Sequence, residues 1–316
     1  MHDILYIVVP CYNEEAVLQE TASRLKNKLL RLIDGGLAGT QSRILFVDDG
    51  SKDKTWNIIE SLHHTDNIFS GIKLAHNRGH QNALIAGLMT AMSLAEVTIS
   101  MDADLQDDIE CLDDFLKQYY EGCDIVYGVR SDRKTDTVLK RWSAQSYYKV
   151  MQRLGVKSVY NHADYRLMSK RALEGLASFR EVNLYLRGIV PLIGYKTGIA
   201  EYSRGERFAG ESKYPLKKQI ALAWDGISSF STYPIRMITI LGFLAFFLSL
   251  CFMVYSLIRK LTGHTVEGWS ALMVSIWFLG GLILLSLGII GEYIGKVYSE
   301  VKDRPKYIIE TVLDKH

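Results

Sequence analysis

The stretch "VTISMDADLQDD", Val97–Asp108, decides how the chain is read. Its opening run, Val97 to Met101, is rich in β-branched and apolar residues and reads as a buried strand. The strand then delivers Asp102 and Asp104, and side chains two apart on extended backbone point to the same side. Two carboxylates held that close repel unless something neutralises them. A hard divalent cation such as Mg2+ or Mn2+ is the usual neutraliser, because it takes oxygen ligands and bridges protein carboxylates to substrate phosphates. The competing reading is a solvated loop that enters an acid-rich helix N-terminus. Asp107, Asp108 and Glu110 are assigned to that reading, where they favour the helix macrodipole. For Asp102 and Asp104 both readings stay open on this stretch alone.

Outward from that strand, residues 1–130 alternate strand and helix with short connections. "DILYIVVP", "SRILFVDDGS", "IFSGIKLAHN", "VTISMDAD" and "CDIVYGVR" read as five strands, separated by four segments with apolar residues at helical spacing. Such alternation predicts an α/β fold with a mostly parallel sheet. In these sheets ligands bind outside the C-terminal strand ends. Each strand here finishes in polar or charged residues: Tyr12, Asn13 and Glu14; Asp48, Asp49 and Ser51; Asn77 and Arg78; the acidic pair; and Arg130. Five strand ends aiming chemistry at one edge are hard to explain by stability alone. No GxGxxG or P-loop follows any strand, which argues against nicotinamide enzymes and NTPases.

Lys and Arg total 37 against 35 Asp and Glu, so the whole-chain balance offers no argument for nucleic acid. The four cysteines have no metal-ligand or CxxC spacing and read as thiols of a reducing compartment. No basic n-region of a signal peptide precedes the first strand. Met237 to Ile258 is 22 residues without a charge and Trp269 to Gly291 another 23. Each is long enough to cross a hydrocarbon core of about 30 Å. Basic residues crowd both outer flanks, so the expected topology is a helical hairpin with catalytic domain and both termini in the cytoplasm. "PLKKQIALAWDGISSFSTYP" mixes basic and apolar positions and suits a helix lying in the membrane interface. The tail "PKYIIETVL" alternates like a strand and is expected to add to a sheet edge, its own or a neighbour's. The expected division is 1–214 catalytic, 215–234 interfacial, 235–291 hairpin and 292–316 tail. In "SRGERFAGESKYP", Gly205 and Gly210 make a flexible loop on which Arg204, Arg207 and Lys213 are suited to hold phosphate.

Six motifs in order, "VVPCYNEE", "VDDGSKDKT", "NRGHQNALIAG", "DADLQDD", "GVR" and "RGERFAGESKY", together resemble the family-two inverting glycosyltransferases of GT-A fold. More closely they are similar to the polyprenyl-phosphate glycosyltransferases, the group that includes dolichol-phosphate mannose synthase. The resemblance covers residues 4–214 by motif and the rest by architecture. It implies a nucleotide-sugar donor, a polyprenyl phosphate acceptor, and Mg2+ or Mn2+ as cofactor. It places Pro10, Tyr12 and Glu14 in the nucleoside pocket, Val47 and Asp49 in the base-reading motif, and Ala103 against the nucleoside. Asp102 and Asp104 become the metal-holding pair, with Gln106 beside the metal. Arg130, Arg207 and Lys213 match positions that bind phosphates of donor or acceptor and, with Asp104, make up the implied catalytic set. Arg141, in "VLKRW", corresponds more loosely to an acceptor-phosphate arginine, and Asp164 and Arg166, in "NHADYRLMSK", to an acceptor-side motif.

A lipid phosphate is already ionised near neutral pH, with a second pKa around 6. Its oxygen can therefore attack the sugar without a general base, and the enzyme need only align the reactants and neutralise the departing diphosphate. His76, His80 and His162 are accordingly read as structural or pocket-wall residues. Asp49 suits uracil, which favours a UDP-sugar over a GDP-sugar. The absence of eukaryotic targeting features and the anchor pattern point to a bacterial inner membrane, undecaprenyl phosphate and, by analogy, a homo-oligomer. One rival, a processive polysaccharide synthase, calls for a Q-x-x-R-W motif, but Val138 stands where the glutamine belongs before Arg141 and Trp142. Another, a catalytically silent nucleotide-binding scaffold, is opposed by the intact acidic and basic sets.

Overall fold

The computed structural model of the chain describes residues 2–131, 162–182, 186–203, 205, 233–262 and 268–314. The interfacial segment 215–232, the basic loop from Glu206 to Tyr214, Arg204 and Arg141 lie outside the described residues.

The expected alternation is present. Strands β1 (Leu5–Cys11), β2 (Arg43–Asp48), β3 (Phe69–Leu74) and β4 (Val97–Ser100) alternate with helices α1 (Leu18–Asp34), α2 (Thr55–Thr65) and α3 (His80–Met92). A short 3-10 turn and α4 (Leu112–Tyr120) lead to β5 (Ile125–Arg130). Two strands that the alternation does not foresee follow, β6 (His162–Ser169) and β7 (Thr197–Tyr202), with α5 (Lys170–Ala177) and α6 (Leu186–Ile189) between them. The eight-stranded sheet runs β7-β5-β6-β4-β1-β2-β3-β8. The final strand, β8 (Ile309–Leu313), pairs antiparallel with β3, so the tail completes its own sheet. β6 is antiparallel to both neighbours, and the remaining six strands share one direction.

This order places a topological switch point between β1 and β4, since β2 and β3 lie on one side of β1 and β4 on the other. Pro10 marks the place. A proline inside a central strand would break the ladder. Here the β1–β4 pairing ends at Val8 and Ser100, while β1 remains paired with β2 through Cys11. The missing N–H therefore falls on the side where β4 has already departed, at the mouth of the cleft.

Two glycines set how closely the layers approach. A Cβ on Gly87 of α3 would lie 2.4 Å from Val8 Cγ1 and 2.6 Å from Val47 Cγ2, so the helix rests directly on β1 and β2. Gly50 has φ +66°, and a Cβ there would lie 2.7 Å from Asn77 N and 2.8 Å from His76 C. The left-handed conformation alone costs an L-residue roughly 1–2 kcal/mol, and the backbone contact cannot be relieved by a side-chain rotation. Gly50→Ala is expected to lower the melting temperature. Calorimetry on the purified full chain checks this, and an unchanged value would refute the close approach.

Beyond the sheet domain stand two long helices, α7 (Tyr233–Leu261) and α8 (Trp269–Val301). Their most apolar segments, Ile235–Phe252 and Ser275–Val301, have mean hydropathies of 2.2 and 1.8, and no residue of either is fully buried inside the protein. Both are long and apolar enough to cross a membrane. α8 continues ten residues past the uncharged run that ends at Gly291 and returns to the sheet domain. There Glu300 accepts from Val182 N–H at 2.8 and 3.0 Å, Lys306 Nζ donates to the Phe179 carbonyl at 3.2 Å, and Ala75 N–H donates to the Ile308 carbonyl at 2.9 Å.

Candidate active site

The first two motifs form one interlocked unit. Asn13, at φ 52°, donates its N–H to Ser51 Oγ at 3.0 Å and accepts from Lys52 N–H on Oδ1 at 2.8 Å. Glu14 N–H donates to Thr55 Oγ1 at 2.9 Å, and the Glu15 carboxylate accepts from Lys54 N–H at 2.9 Å. Loops that leave adjacent parallel strands would otherwise expose unpaired backbone groups, and these side chains satisfy them. Asp49 is buried and accepts from the N–H groups of Arg78 and Gly79 at 2.7 and 2.9 Å. It thereby fastens the β3–α3 turn, the third motif. Burial raises its carboxyl pKa, and the two backbone N–H groups oppose that rise. Pro10 and Val47 are buried, and the Val47 side chain packs beneath Gly87. Tyr12 and Glu14 are half-buried at the cleft.

Asp102 and Asp104 emerge from β4 at the switch point. Asp102 is 38% exposed, and the Asp104 Oδ1 accepts from Gln106 N–H at 3.2 Å across Leu105, which sits at φ 57°. A leucine there is strained, and such strain gathers where a loop must aim its side chains. Ala103 is buried, its carbonyl accepting from Thr21 Oγ1 of α1 at 2.8 Å.

One reading of this loop needs correction. Asp107, assigned to a solvated helix start, is 3% exposed, and its Oδ1 accepts from the Tyr202 hydroxyl at 2.6 Å. The Tyr202 oxygen in turn accepts from Arg130 Nε at 3.3 Å, which ties the ends of β5 and β7 to the carboxylate loop. Burial first, and the Asp102 carboxylate second, push the Asp107 pKa up to about 6. The missing sequence signal was tertiary: only the return of β7 covers this residue. Asp108 and Glu110 do behave as expected at the turn. Asp108 caps it through Glu110 N–H at 3.0 Å, and Glu110 pairs with Lys28 at 2.7 Å and Arg31 at 2.6 Å.

Does this loop suit a cation? Among the described residues no three His, Cys, Asp or Glu side chains converge as a closed metal cage. The donors are instead an open carboxylate pair with a third, Asp107, behind it, whose Oδ2 is buried without a protein partner. Excess negative charge with an orphaned oxygen fits a hard divalent ion that shares its remaining positions with a substrate. Asp102 and Asp104 would hold it. On the α1 side of the same loop Gln106 lines a cavity of about 470 Å3 with Arg24, Arg31, Ser203 and Gly205. Gly205 N–H donates to the Gln106 carbonyl at 2.9 Å, so the chain entering the basic loop is fastened to the carboxylate loop. Arg207 and Lys213 themselves, like Arg141, fall outside the described residues.

Across the cleft stands β6. In its antiparallel register with β4, Ser100 meets Arg166, which sets Asp164 opposite the start of the carboxylate loop. Ser100 Oγ donates to the Asp164 carbonyl at 2.6 Å. The Asp164 carboxylate accepts from Arg166 Nη2 at 2.5 Å and Arg187 Nη2 at 3.2 Å. Burial by itself would raise this carboxyl, but Arg187, then Arg166 and His80, hold it well below the usual range. Arg166 is only 1% exposed and so reaches Asp164 from the interior. His80, the first residue of α3, lies with Nε2 3.6 Å from Asp102 Oδ1 and 3.8 Å from Asp164 Oδ2. Arg187 was not read as a site residue at all. Nothing in "LRGI" distinguishes it, since its place depends on α6 being packed beside β6.

The profile described as "Glycosyl transferase family 2" matches residues 6–176. The uncharacterized glycosyltransferase YkoT of Bacillus subtilis (strain 168) is 55% identical over 307 residues, 97% of this chain and 91% of that protein. The SfII prophage-derived bactoprenol glucosyl transferase of Shigella flexneri is 38% identical over 309 residues, 96% of each chain. Among solved structures, a mannosyltransferase from Pyrobaculum calidifontis in complex with GDP-Man and Mn2+ is 14% identical, covering 96% of this chain and 88% of that one with a TM-score of 0.45. With a profile spanning more than half its length and relatives matched nearly end to end, the chain belongs to glycosyl transferase family 2.

Proposed function

We propose that the protein is a membrane-anchored inverting glycosyltransferase that moves one hexose, with glucose the first candidate, from a UDP-sugar to undecaprenyl phosphate. The observation that carries this reading is the open carboxylate pair Asp102 and Asp104 at the switch point of a family-two sheet. The bactoprenol glucosyl transferases, similar along nearly their whole length, supply the acceptor class and the glucosyl group. The two apolar helices fit delivery of a lipid acceptor at the cytoplasmic face of a bacterial inner membrane.

The chemistry follows from charge. The acceptor phosphate oxygen attacks the anomeric carbon, the bond to the diphosphate breaks, and the electron pair leaves with UDP. No proton needs to be removed from the nucleophile, because the phosphate is ionised near neutral pH. When bound between Asp102 and Asp104, Mg2+ or Mn2+ supplies Lewis acidity toward the departing diphosphate. Tyr12, Glu14 and Asp49, at the ends of β1 and β2, lie where the nucleoside would bind, and Asp49 also keeps the β3–α3 turn in place. Arg130, Arg207 and Lys213 supply positive charge to phosphates, and the loop 204–214 serves as a lid. Asp164 and Arg166 belong to the acceptor side, Arg166 acting from the interior through Asp164.

The test is a donor screen. Purified full-length protein in detergent is given undecaprenyl phosphate, Mn2+ or Mg2+, and a panel of UDP- and GDP-sugars, and the glycolipid is scored. The expected result is transfer from a single UDP-hexose that a chelator abolishes and added Mn2+ restores. UDP binding without transfer from any donor would overturn the reading in favour of a nucleotide-binding scaffold.

A further inference from the structure

Asp107 is a buried carboxylate with half of its hydrogen bonding unmade. It is 3% exposed, and while Oδ1 accepts from the Tyr202 hydroxyl at 2.6 Å, Oδ2 is sealed from solvent and has no hydrogen-bond partner. Burying a charge without full pairing is costly. Asp102 and Asp104 on the same loop repel it further, and Arg130 offsets only part of that repulsion. A buried polar atom left in this condition needs a reason, and an incoming cation is one that the chemistry allows.

The surrounding structure holds the carboxylate in place instead of letting it escape to water. The Tyr202 ring is buried and meets the Tyr165 ring edge-on, with centroids 5.2 Å apart. Tyr165 of β6 donates its hydroxyl to the Asp108 carbonyl at 2.8 Å, and Gly205, just past β7, donates its N–H to the Gln106 carbonyl. Acceptors on three consecutive residues, Gln106, Asp107 and Asp108, are thus engaged by donors from β6 and the end of β7. For fold stability alone an asparagine would serve at 107, since its carbonyl oxygen accepts from Tyr202 equally well and no charge is buried. The carboxylate becomes favourable when positive charge enters the loop. Among the described residues no three such side chains converge on one point, and Oδ2 is sealed. Asp107 therefore acts through the low-dielectric interior and not as a ligand.

We propose that Asp107 is an outer carboxylate of the cation site, a positioning residue that does not touch the divalent ion but sets how tightly Asp102 and Asp104 hold it. This rests on the glycosyltransferase reading above and deepens it. Asp102 and Asp104 supply the ligand oxygens, Asp107 supplies a further negative charge, and Tyr202 keeps that charge aimed at the loop.

The experiment titrates Mn2+ into the full-length protein in detergent with UDP present and reads free Mn2+ from its electron paramagnetic resonance signal. Wild type is compared with Asp107→Asn, Tyr202→Phe and Asp108→Asn. Asp107→Asn keeps the size and the Tyr202 contact but removes the charge, and is expected to weaken Mn2+ binding about 10-fold or more. Asp108→Asn removes an exposed charge from the same loop and still caps the Glu110 N–H, so Mn2+ affinity should stay within about twofold. Tyr202→Phe keeps the ring contact with Tyr165 but frees the carboxylate to turn. It should weaken Mn2+ binding in the same direction, which tests the proposal even if Asp107→Asn fails to fold. UDP affinity without Mn2+ should stay within about twofold in all three variants, because the nucleoside contacts lie on the β1–β2 side. A merely structural carboxylate would leave Asp107→Asn with wild-type Mn2+ affinity, and that result would overturn the proposal. An equal loss in Asp108→Asn would overturn it too, since any charge on the loop would then do. A wild type that shows this order of Mn2+ affinities but transfers no sugar would sink the glycosyltransferase reading and leave the outer carboxylate standing. Sugar transfer by Asp107→Asn at wild-type Mn2+ affinity would do the opposite.

Discussion

Asp102→Asn is expected to lower sugar transfer by about a thousandfold while leaving the fold intact. The magnitude follows from losing one of the two carboxylates proposed to hold a cation that would stabilise developing charge on the leaving group, an interaction of several kcal/mol. The fold should tolerate the change. Asp102 is 38% exposed, stands 3.6 Å from His80 Nε2, and adds to the repulsion that burdens buried Asp107. Removing that charge relieves the metal-free protein rather than weakening it. The melting temperature without metal should therefore be equal to or slightly above wild type, and the stabilisation of UDP binding by Mn2+ should vanish. A variant that retained a tenth of wild-type turnover would show that the metal is held elsewhere, or that none is used.

The second large effect is on folding. At Gly87, helix propensity and packing pull in opposite directions. Alanine is better than glycine inside a helix by about 1 kcal/mol, which taken alone predicts stabilisation. But the new Cβ would lie 2.4 Å from Val8 Cγ1 and 2.6 Å from Val47 Cγ2, inside any tolerable contact. Both valines belong to central strands and are completely buried, so neither can swing away. Overpacking of this kind costs about 1–3 kcal/mol for one added carbon and more for a branched side chain. Gly87→Ala is expected to lower the melting temperature of the full chain by several degrees. Gly87→Val should prevent accumulation of folded protein. Packing should win because the helix cannot lift off β1 and β2 without shifting His80 and the turn that Asp49 holds. A rise in melting temperature for Gly87→Ala would show that the helix moves freely and that propensity decides.

How much of this was legible beforehand depends on the range of the interactions involved. The first five strands and the helices between them follow from local periodicity, and the two apolar helices from uninterrupted runs of 22 and 23 uncharged residues. Asp102 and Asp104 stood out because two carboxylates at a strand end are a local anomaly in charge, visible without any partner. Strand order and register are different, because they are set by pairing between residues far apart in the chain. "HADYRLMS" carries charges at Asp164 and Arg166 and lacks the apolar run of a buried strand, yet it becomes β6 because its two charges neutralise each other and Ser100 binds its backbone. Only that insertion beside β4 sets Asp164 opposite the carboxylate loop and brings Arg187 and His80 within reach. In the same way β7 covers Asp107, and β3 rather than a neighbouring molecule receives β8. The amino-acid sequence by itself determined which acidic and basic side chains are proposed to meet phosphate and metal. Tertiary structure decided the order in which they meet along the sheet edge, because that order depends on long-range strand pairing and not on any local preference.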